Sequence, residues 1–438
     1  MDGLTRMLHR VRTVALGDET KFDDGRLTVS ASDARRILAD PALADTRVTW
    51  VSPGDSARIV KVLDSVEPRT KGAGGGGIFP GFVSPPGAAG KGETHVLAGA
   101  AVVAAGYLPR AQEALIDMSG PAAPLSPLAQ THNLVVEFEP ADGASWEDVD
   151  AAVRRGVLAL AAHLAESALA TTPDEVNRFP TPTPGEKNGL PRVAAITNLQ
   201  TQGTFKDVFV NGASFVGGAP AVLDANEVDD GAVVSGQFGH PSLKNPTYVH
   251  QNHPVVAALR ARDGQDLRFA GLVIAPEPVD QASKERVAAV TADLCARAGF
   301  DAAILTKEGG GNADADVALK MDALEEAGIM TVGLFAEMSG PDGTGPPIVV
   351  APTKATAMVS TGNYDERLSL PEMDVALGGA ELGLLQVPAA SAMELPVAVV
   401  YCGLSPLGWG RLTCASGLHE GAPDRTGVSS SSGGRIAP

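Results

Sequence analysis

Apolar residues in the first third of the chain come in short runs broken by polar turns, a spacing that predicts strands rather than long helices. Residues 27–29 and 47–51 read as strands, with a short helix over SASDARRILAD between them, capped by Ser32 or Asp33. Residues 72–95 hold too much glycine and proline for regular structure. THVLAGAAVVAAGY then reads as one or two buried strands, and LVVEFEP as another. At residue 146 the rhythm changes. Val149, Val153, Val157, Leu160, Leu164 and Leu169 recur at helical spacing and predict an amphipathic helix over 146–169.

Beyond a polar, proline-rich stretch at 171–191, strands alternate with helices. Strands are expected at 193–196, 267–275, 302–305, 329–335 and 355–360, and helices at 278–298 and 312–327. That alternation predicts a parallel sheet covered on both faces. The expected fold class is α/β. An N-terminal β-rich α+β domain spans 1–175 and a Pro-rich linker 176–191. A Rossmann-like parallel-sheet domain spans 192–375, a short β-rich segment 376–417 and a disordered tail 418–438.

Composition narrows the partners. The net charge of −18 without a dense basic run argues against nucleic acid and anionic membrane surfaces. No apolar run approaches the roughly 18 residues of a membrane span. Cys295, Cys402 and Cys414 are far apart and odd in number, which suits a reducing cytoplasm and offers no redox dithiol.

Two stretches could carry chemistry. A short apolar strand, residues 232–234, ends at Ser235-Gly236. His240, Ser242, Lys244, Asn245, Tyr248, His250, Asn252 and His253 follow within a few residues, at a strand end where α/β proteins place their sites. Lys244 is either a Schiff-base amine or a solvated loop lysine. Ser242 near His240 suggests a hydroxyl nucleophile without a readable triad. His240, His250 and His253 invite a zinc reading, but the spacing is no recognised metal signature, and no metal is expected. The second stretch is ILTKEGGGNADAD, a strand, a glycine turn and a helix start. Asn312 is placed to cap that helix, whose amino end would favour a substrate carboxylate. Glu308, Asp314 and Asp316 would instead suit an ammonium or metal ion, and the two aspartates serve equally as first-turn helix acids. Gln200 and Gln202 lie in a polar loop after a strand, and Asn363 and Glu366 in another.

GGGIFPG, THVLAGAAVV, LIDMSGP, THNLVV, LQTQG, DGAVVSG, KNPTYVH, NHPVV and LPEM occur in this order along the chain. The series resembles the proprotein subunit of component B of glycine, sarcosine and betaine reductases, to which a D-proline reductase subunit is related. The resemblance implies reductive cleavage of a carbon–nitrogen bond in a small amine or amino-acid-derived substrate. A thiol- or selenol-bearing reductase subunit would be the partner, in a homo- or hetero-oligomer. It also implies self-cleavage at an Asn-Cys pair after the Ser-Gly, with the Cys becoming a pyruvoyl group. Here that pair is Gln237-Phe238, so an uncleaved chain without pyruvoyl is expected. The resemblance strengthens Glu308, Asn312, Asp314 and Asp316, whose acid–glycine–Asn turn matches the family's. The expected catalytic residues are His240, Lys244, His250 and Glu308, and the expected substrate-binding residues are Gln200, Gln202, Ser235, Asn245, Tyr248, Asn312, Asp314, Asp316, Asn363 and Glu366. Two rival readings are a non-catalytic scaffold and a stand-alone hydrolase or lyase using His240, His250 and His253.

Overall fold

A computed structural model describes residues 3–109, 111–181, 189–201, 208–236, 238–355, 357–383, 386–405 and 407. Gln202, Gln237, Cys414 and the 418–438 tail lie outside the described residues. The architecture is mixed α/β with several sheets.

Two four-stranded sheets build the N-terminal part. One runs Leu43–Val51, His132–Pro140, Ala100–Ala105, Val62–Val66, and the other Glu175–Pro180, Gly3–Arg10, Gly92–Ala98, Arg69–Lys71. The run THVLAGAAVVAAGY therefore makes two strands, parted at Gly99, whose φ of +87° only glycine adopts without strain. The helix Trp146–Glu166 buries Val149, Val153, Val157, Leu160 and Leu164, as the spacing predicts. It stops before Leu169, which is 42% exposed and outside the stripe. Ser30 caps the helix Ala31–Leu38, its hydroxyl accepting from the Asp33 amide, in place of Ser32 or Asp33.

Residues 176–180 are strand rather than linker. Glu175–Pro180 pairs antiparallel with Gly3–Arg10 at the sheet edge, with Pro180 at the strand's end, where a missing N–H is tolerated. The C-terminal boundary at 375 also shifts, because Val375–Leu377 straddles it and pairs parallel with Ala57–Val60. Buried Arg58 fastens this return. It ion-pairs with Asp117 and donates to the carbonyls of Pro371, Ala389 and Ser391 at 2.8–3.1 Å.

The parallel-rich sheet has six strands, ordered Ala221–Leu223, Arg268–Glu277, Arg192–Gln200, Ala302–Thr306, Met330–Glu337, Ala357–Asn363. Only Ala221–Leu223 runs antiparallel. Ala195, Leu199, Leu272 and Ile274 pack one face against Val255, Val256 and Leu259 of the helix Pro254–Arg262. Ala194, Ile196, Val273 and Leu305 pack the other against the helices Gln281–Ala298 and Asn312–Glu326. Arg192–Gln200 comes before both of its long neighbours in the chain, so the strand order reverses there. The carboxyl ends of Arg192–Gln200 and Ala302–Thr306 open the crevice where such sheets place ligands.

Candidate substrate site

Glu308 sits just past Ala302–Thr306, at that crevice. Its carboxylate is 2% exposed and accepts from the Gln200 amide N at 3.0 Å and the Asn245 amide N at 3.2 Å. Two N–H donors hold it in place, and Lys244 lies within electrostatic reach. His250, from the short helix Thr247–Gln251, brings Nε2 to 3.8 Å from Oε1 of Glu308. That nitrogen is buried and has no hydrogen-bond partner among the described residues. The acid of the glycine turn and the loop after Ser235 thus meet at one place.

Asn245 clasps the two together. Its side-chain N donates to the Lys307 carbonyl at 3.2 Å, and its side-chain O accepts from the Ser405 hydroxyl at 2.7 Å. Behind it lies Lys244, 4% exposed, donating to the Ser235 hydroxyl at 2.7 Å. Burial lowers the Lys244 pKa, while Asp64 and Glu308 push it back up. The Ser235 amide donates to the Thr247 hydroxyl at 3.0 Å, which donates to Asp64 Oδ2 at 2.6 Å. Burial raises the Asp64 carboxyl, opposed first by Lys244. Cys402, at φ +60°, lies within electrostatic reach of both, and burial drives its thiol well above the ordinary range.

Phe238 stands where the family resemblance places the pyruvoyl precursor. Its side chain is 7% exposed, joins the N-terminal core cluster and holds its ring 5.2 Å from Lys244 Nζ. The cavity it borders with Ser235, Asp64 and Arg154 is only about 20 Å³, room for one water. A carbonyl cofactor does not fit this position, because the phenyl ring has no nucleophilic atom from which to form it.

The remaining expected residues divide. Gln200 joins the site through its backbone, and its side chain packs under Gly309, where an added Cβ would meet Oε1 at 3.0 Å. Asn312 is exposed and does not cap the helix. Gly311 occupies the cap position, and the Asn312 side-chain N reaches the Val279 carbonyl at 3.4 Å. Asp314 and Asp316 are buried and committed, Asp314 to Lys307 and Asp316 to Lys284 and Lys320. They act as internal counter-ions rather than surface first-turn acids. Tyr248 is buried among Val62, Ala101 and Tyr401, in core rather than at a cleft. Asn363 ties a loop by donating to the Gly340 carbonyl at 2.8 Å, and Glu366 accepts through its backbone from Val397 N at 2.8 Å. Asn363 ends the strand Ala357–Asn363, and Glu366 lies in the turn after it.

The histidines do not converge. His253 is locked between the Thr197 hydroxyl at 2.7 Å and the Val256 amide at 3.4 Å, and burial pushes its pKa down to about 3. His240 adopts φ +48° and lies 6.2 Å from the Tyr364 ring. Burial, then Lys307, lowers its pKa. Among the described residues no group of three His, Cys, Asp or Glu side chains could hold a metal ion.

Sequence reasoning passed over Asp64, Thr247 and Ser405, and read Cys402 only as one of three scattered thiols. Asp64 left a trace, an acid inside the otherwise apolar run VLDSV, which marks a carboxylate with a dedicated partner. Cys402 and Ser405 reach the site only because the C-terminal segment returns. The Cys402 and Leu404 amides donate to the Pro241 and Ser242 carbonyls at 3.0 and 2.9 Å.

These features define an α/β protein with a buried acid–histidine–lysine site at the sheet's carboxyl edge, sealed by loops from distant parts of the chain. The chain belongs to the family of glycine/sarcosine/betaine reductase component B subunits, which matches residues 3–412. It is 35% identical over 417 residues to the glycine reductase complex component B subunits alpha and beta of Acetoanaerobium sticklandii, covering 92% of this chain and 97% of the relative. It is 33% identical to the sarcosine reductase complex component B subunit alpha of Peptoclostridium acidaminophilum (84% and 87% covered). It is 31% identical to that organism's betaine reductase complex component B subunit alpha (92% and 97%). No solved structure matches the chain.

Proposed function

We propose that this chain is the substrate-holding subunit of an amine or amino-acid reductase complex, and that it works uncleaved and without a pyruvoyl group. The family supports the first part and Phe238 carries the second. A pyruvoyl-forming residue needs a side-chain hydroxyl or thiol to attack the preceding carbonyl. The phenyl ring at 238 offers neither, and it fills the space beside Lys244 and Ser235.

Without a carbonyl to capture an amine covalently, the substrate is held by charge and hydrogen bonds. Glu308 supplies a fixed anion for an ammonium group, and His250 Nε2 beside it can pass a proton to a departing nitrogen. The electrons come from a thiol- or selenol-bearing partner. The test is reconstitution with the thiol-bearing reductase subunit of the same organism, assayed with glycine, sarcosine and betaine in the presence of a dithiol. Turnover that falls in His250→Ala while the two subunits still copurify supports a catalytic role. Full turnover in that variant removes His250 from the chemistry, and copurification with no turnover on any amine favours a scaffold.

A further inference from the structure

The largest cavity described lies away from Glu308. A cleft of about 600 Å³ opens between the strand Glu175–Pro180 and the helix Pro254–Arg262, where the N-terminal sheets meet the six-stranded part of the chain. Inter-lobe clefts of this size are common ligand sites. The exposed helix face supplies Ala257 and Ala261, small side chains that leave the space open.

The charge in the cleft runs against that of the chain. Arg6, Arg178, Arg260 and Arg268 line it, against Asp224, Asp229 and Asp263, in a protein of net charge −18. Most of these groups are already spoken for. Arg260 donates to Asp229 at 2.6 Å and Asn226 at 2.7 Å, and Arg268 pairs with Asp263 at 3.2 Å. Asp224 caps a short helix by accepting from the Asn226 amide, and burial raises its pKa while Arg260 opposes the shift. Arg6 is under-neutralised. Its guanidinium stacks on Phe179 at 4.6 Å and reaches only Asp229, at 4.0 Å, a carboxylate already bonded to Arg260. Its Nε is buried without a hydrogen-bond partner. Arg69 and Arg260 lie close enough to repel it, and the nearby acids are Glu67, held by Arg69 at 2.5 Å, and Asp229. Arg6 thus has no carboxylate to itself: Glu67 is held by Arg69, and Asp229 is bonded to Arg260. Arg178 at the mouth makes no ion pair among the described residues.

We infer that this cleft is a second ligand site, for a small organic anion whose phosphate or carboxylate oxygens bind Arg6 and Arg178. An oxyanion in the cleft meets the accessible part of the Arg6 side chain, which lines it and is 19% exposed, and a charge-assisted hydrogen bond there is a strong one. The site is built to report to the first one. His253 and Asn252 line the cleft, and His250 lies three residues before His253. The intervening Gln251 is pinned, accepting from the Glu67 amide at 2.9 Å while its own carbonyl accepts from Arg69 at 3.1 Å. Anion binding that draws on Arg6 therefore acts on the same arginine–acid cluster that fixes the His250 turn.

The experiment is isothermal titration of the full chain with inorganic phosphate, ATP and citrate in separate runs. Saturable binding of at least one probe is expected, weakened by added salt. Which probe binds separates a free phosphate, a nucleotide and a polycarboxylate. Arg6→Gln should weaken binding roughly tenfold or more, the loss of about one charge-assisted hydrogen bond. Arg6 also supports Asp229, so Ala257→Glu is the companion. It adds a negative charge at an exposed helix position, where folding is unaffected, and should abolish binding. Absence of binding by all three probes at millimolar concentration overturns the inference. So does full-strength binding in either variant that unfolds like the unaltered protein.

Discussion

Replacing Glu308 by Gln tests the site with almost no change of shape. The carboxylate accepts two backbone N–H groups, from Gln200 and Asn245, with His250 Nε2 at 3.8 Å. A glutamine keeps one oxygen for one of those donors and turns an NH₂ group toward the other. One buried N–H then faces a donor, which costs about 1–3 kcal/mol, and the surviving bond drops from charge-assisted to neutral, about 1 kcal/mol more. Releasing a buried carboxylate from its desolvation penalty offsets part of this. A net loss of about 2 kcal/mol is expected, visible as a lower urea midpoint at unchanged slope. The effect on the amine is separate. A bound ammonium loses its anion, so affinity falls by at least about tenfold for each 1.4 kcal/mol of that contact. Exposed Glu372→Gln is the control and should stay within about 0.5 kcal/mol. If Glu308→Gln matches Glu372→Gln in both midpoint and amine affinity, Glu308 neither organises the crevice nor holds substrate.

The purified protein should give one species near 44.7 kDa by intact mass, terminal trimming aside, whereas two fragments cut within residues 235–242 and bearing a carbonyl that borohydride reduces would return a pyruvoyl mechanism through Ser235 or Ser242. Arg58→Met should destabilise by about 3–5 kcal/mol in denaturant unfolding, because Asp117 is left charged and buried and the Pro371, Ala389 and Ser391 carbonyls lose their donor; a change under about 1 kcal/mol would mean that the C-terminal return is held some other way. His253 is held neutral in the fold, with a pKa of about 3 against an ordinary 6.5, so its stabilisation is complete above pH 6.5 and is lost as pH falls, when the unfolded chain takes up a proton that the native chain refuses. From pH 7 to pH 5 that amounts to about 2 kcal/mol, and unfolding at the two pH values should show it in the unaltered protein relative to His253→Gln; equal pH slopes in the two proteins would contradict it.

Local pattern reached the elements because their signals are local. The helix over Trp146–Glu166 declares itself by five buried residues at helical spacing, and the alternation after residue 191 yields the parallel strands in place. The glycine turn follows Ala302–Thr306 of the six-stranded sheet, whereas the strand before the histidine loop, Val233–Val234, pairs in a separate three-stranded sheet, so the two stretches meet through packing between sheets and not as strand ends of one sheet. What stayed hidden depends on pairing at long range. Val375–Leu377 reads as an isolated apolar triplet until it pairs with Ala57–Val60, more than 300 residues earlier. Separations of 160–184 residues likewise conceal Asp64 beside Thr247, Gln251 beside Glu67 and Ser405 beside Asn245. Asp314 and Asp316 show the opposite failure. Their position at a helix start suggested exposed acids, yet three lysines, Lys284, Lys307 and Lys320, are buried with them, and no periodicity assigns those pairs.

That buried charge bears on the proposed way of working without a pyruvoyl group. Glu277 lies directly beneath Glu308, its Oε1 accepting from the Glu308 amide at 3.2 Å. Burial, then Asp316, raises the Glu277 carboxyl well above the ordinary range, while Lys320 opposes the shift. Burial likewise lowers Lys320. The layer under the crevice thus carries groups whose charges balance one another, and Glu308, resting on backbone N–H donors, is the acid nearest His250. An uncleaved subunit needs such a fixed anion more than a cleaved one does. A Schiff base holds an amine by a covalent bond, whereas here charge and geometry alone would hold it. Phe238 packs its ring 5.2 Å from Lys244 Nζ, and Lys244 holds Ser235 and with it the turn into the histidine loop.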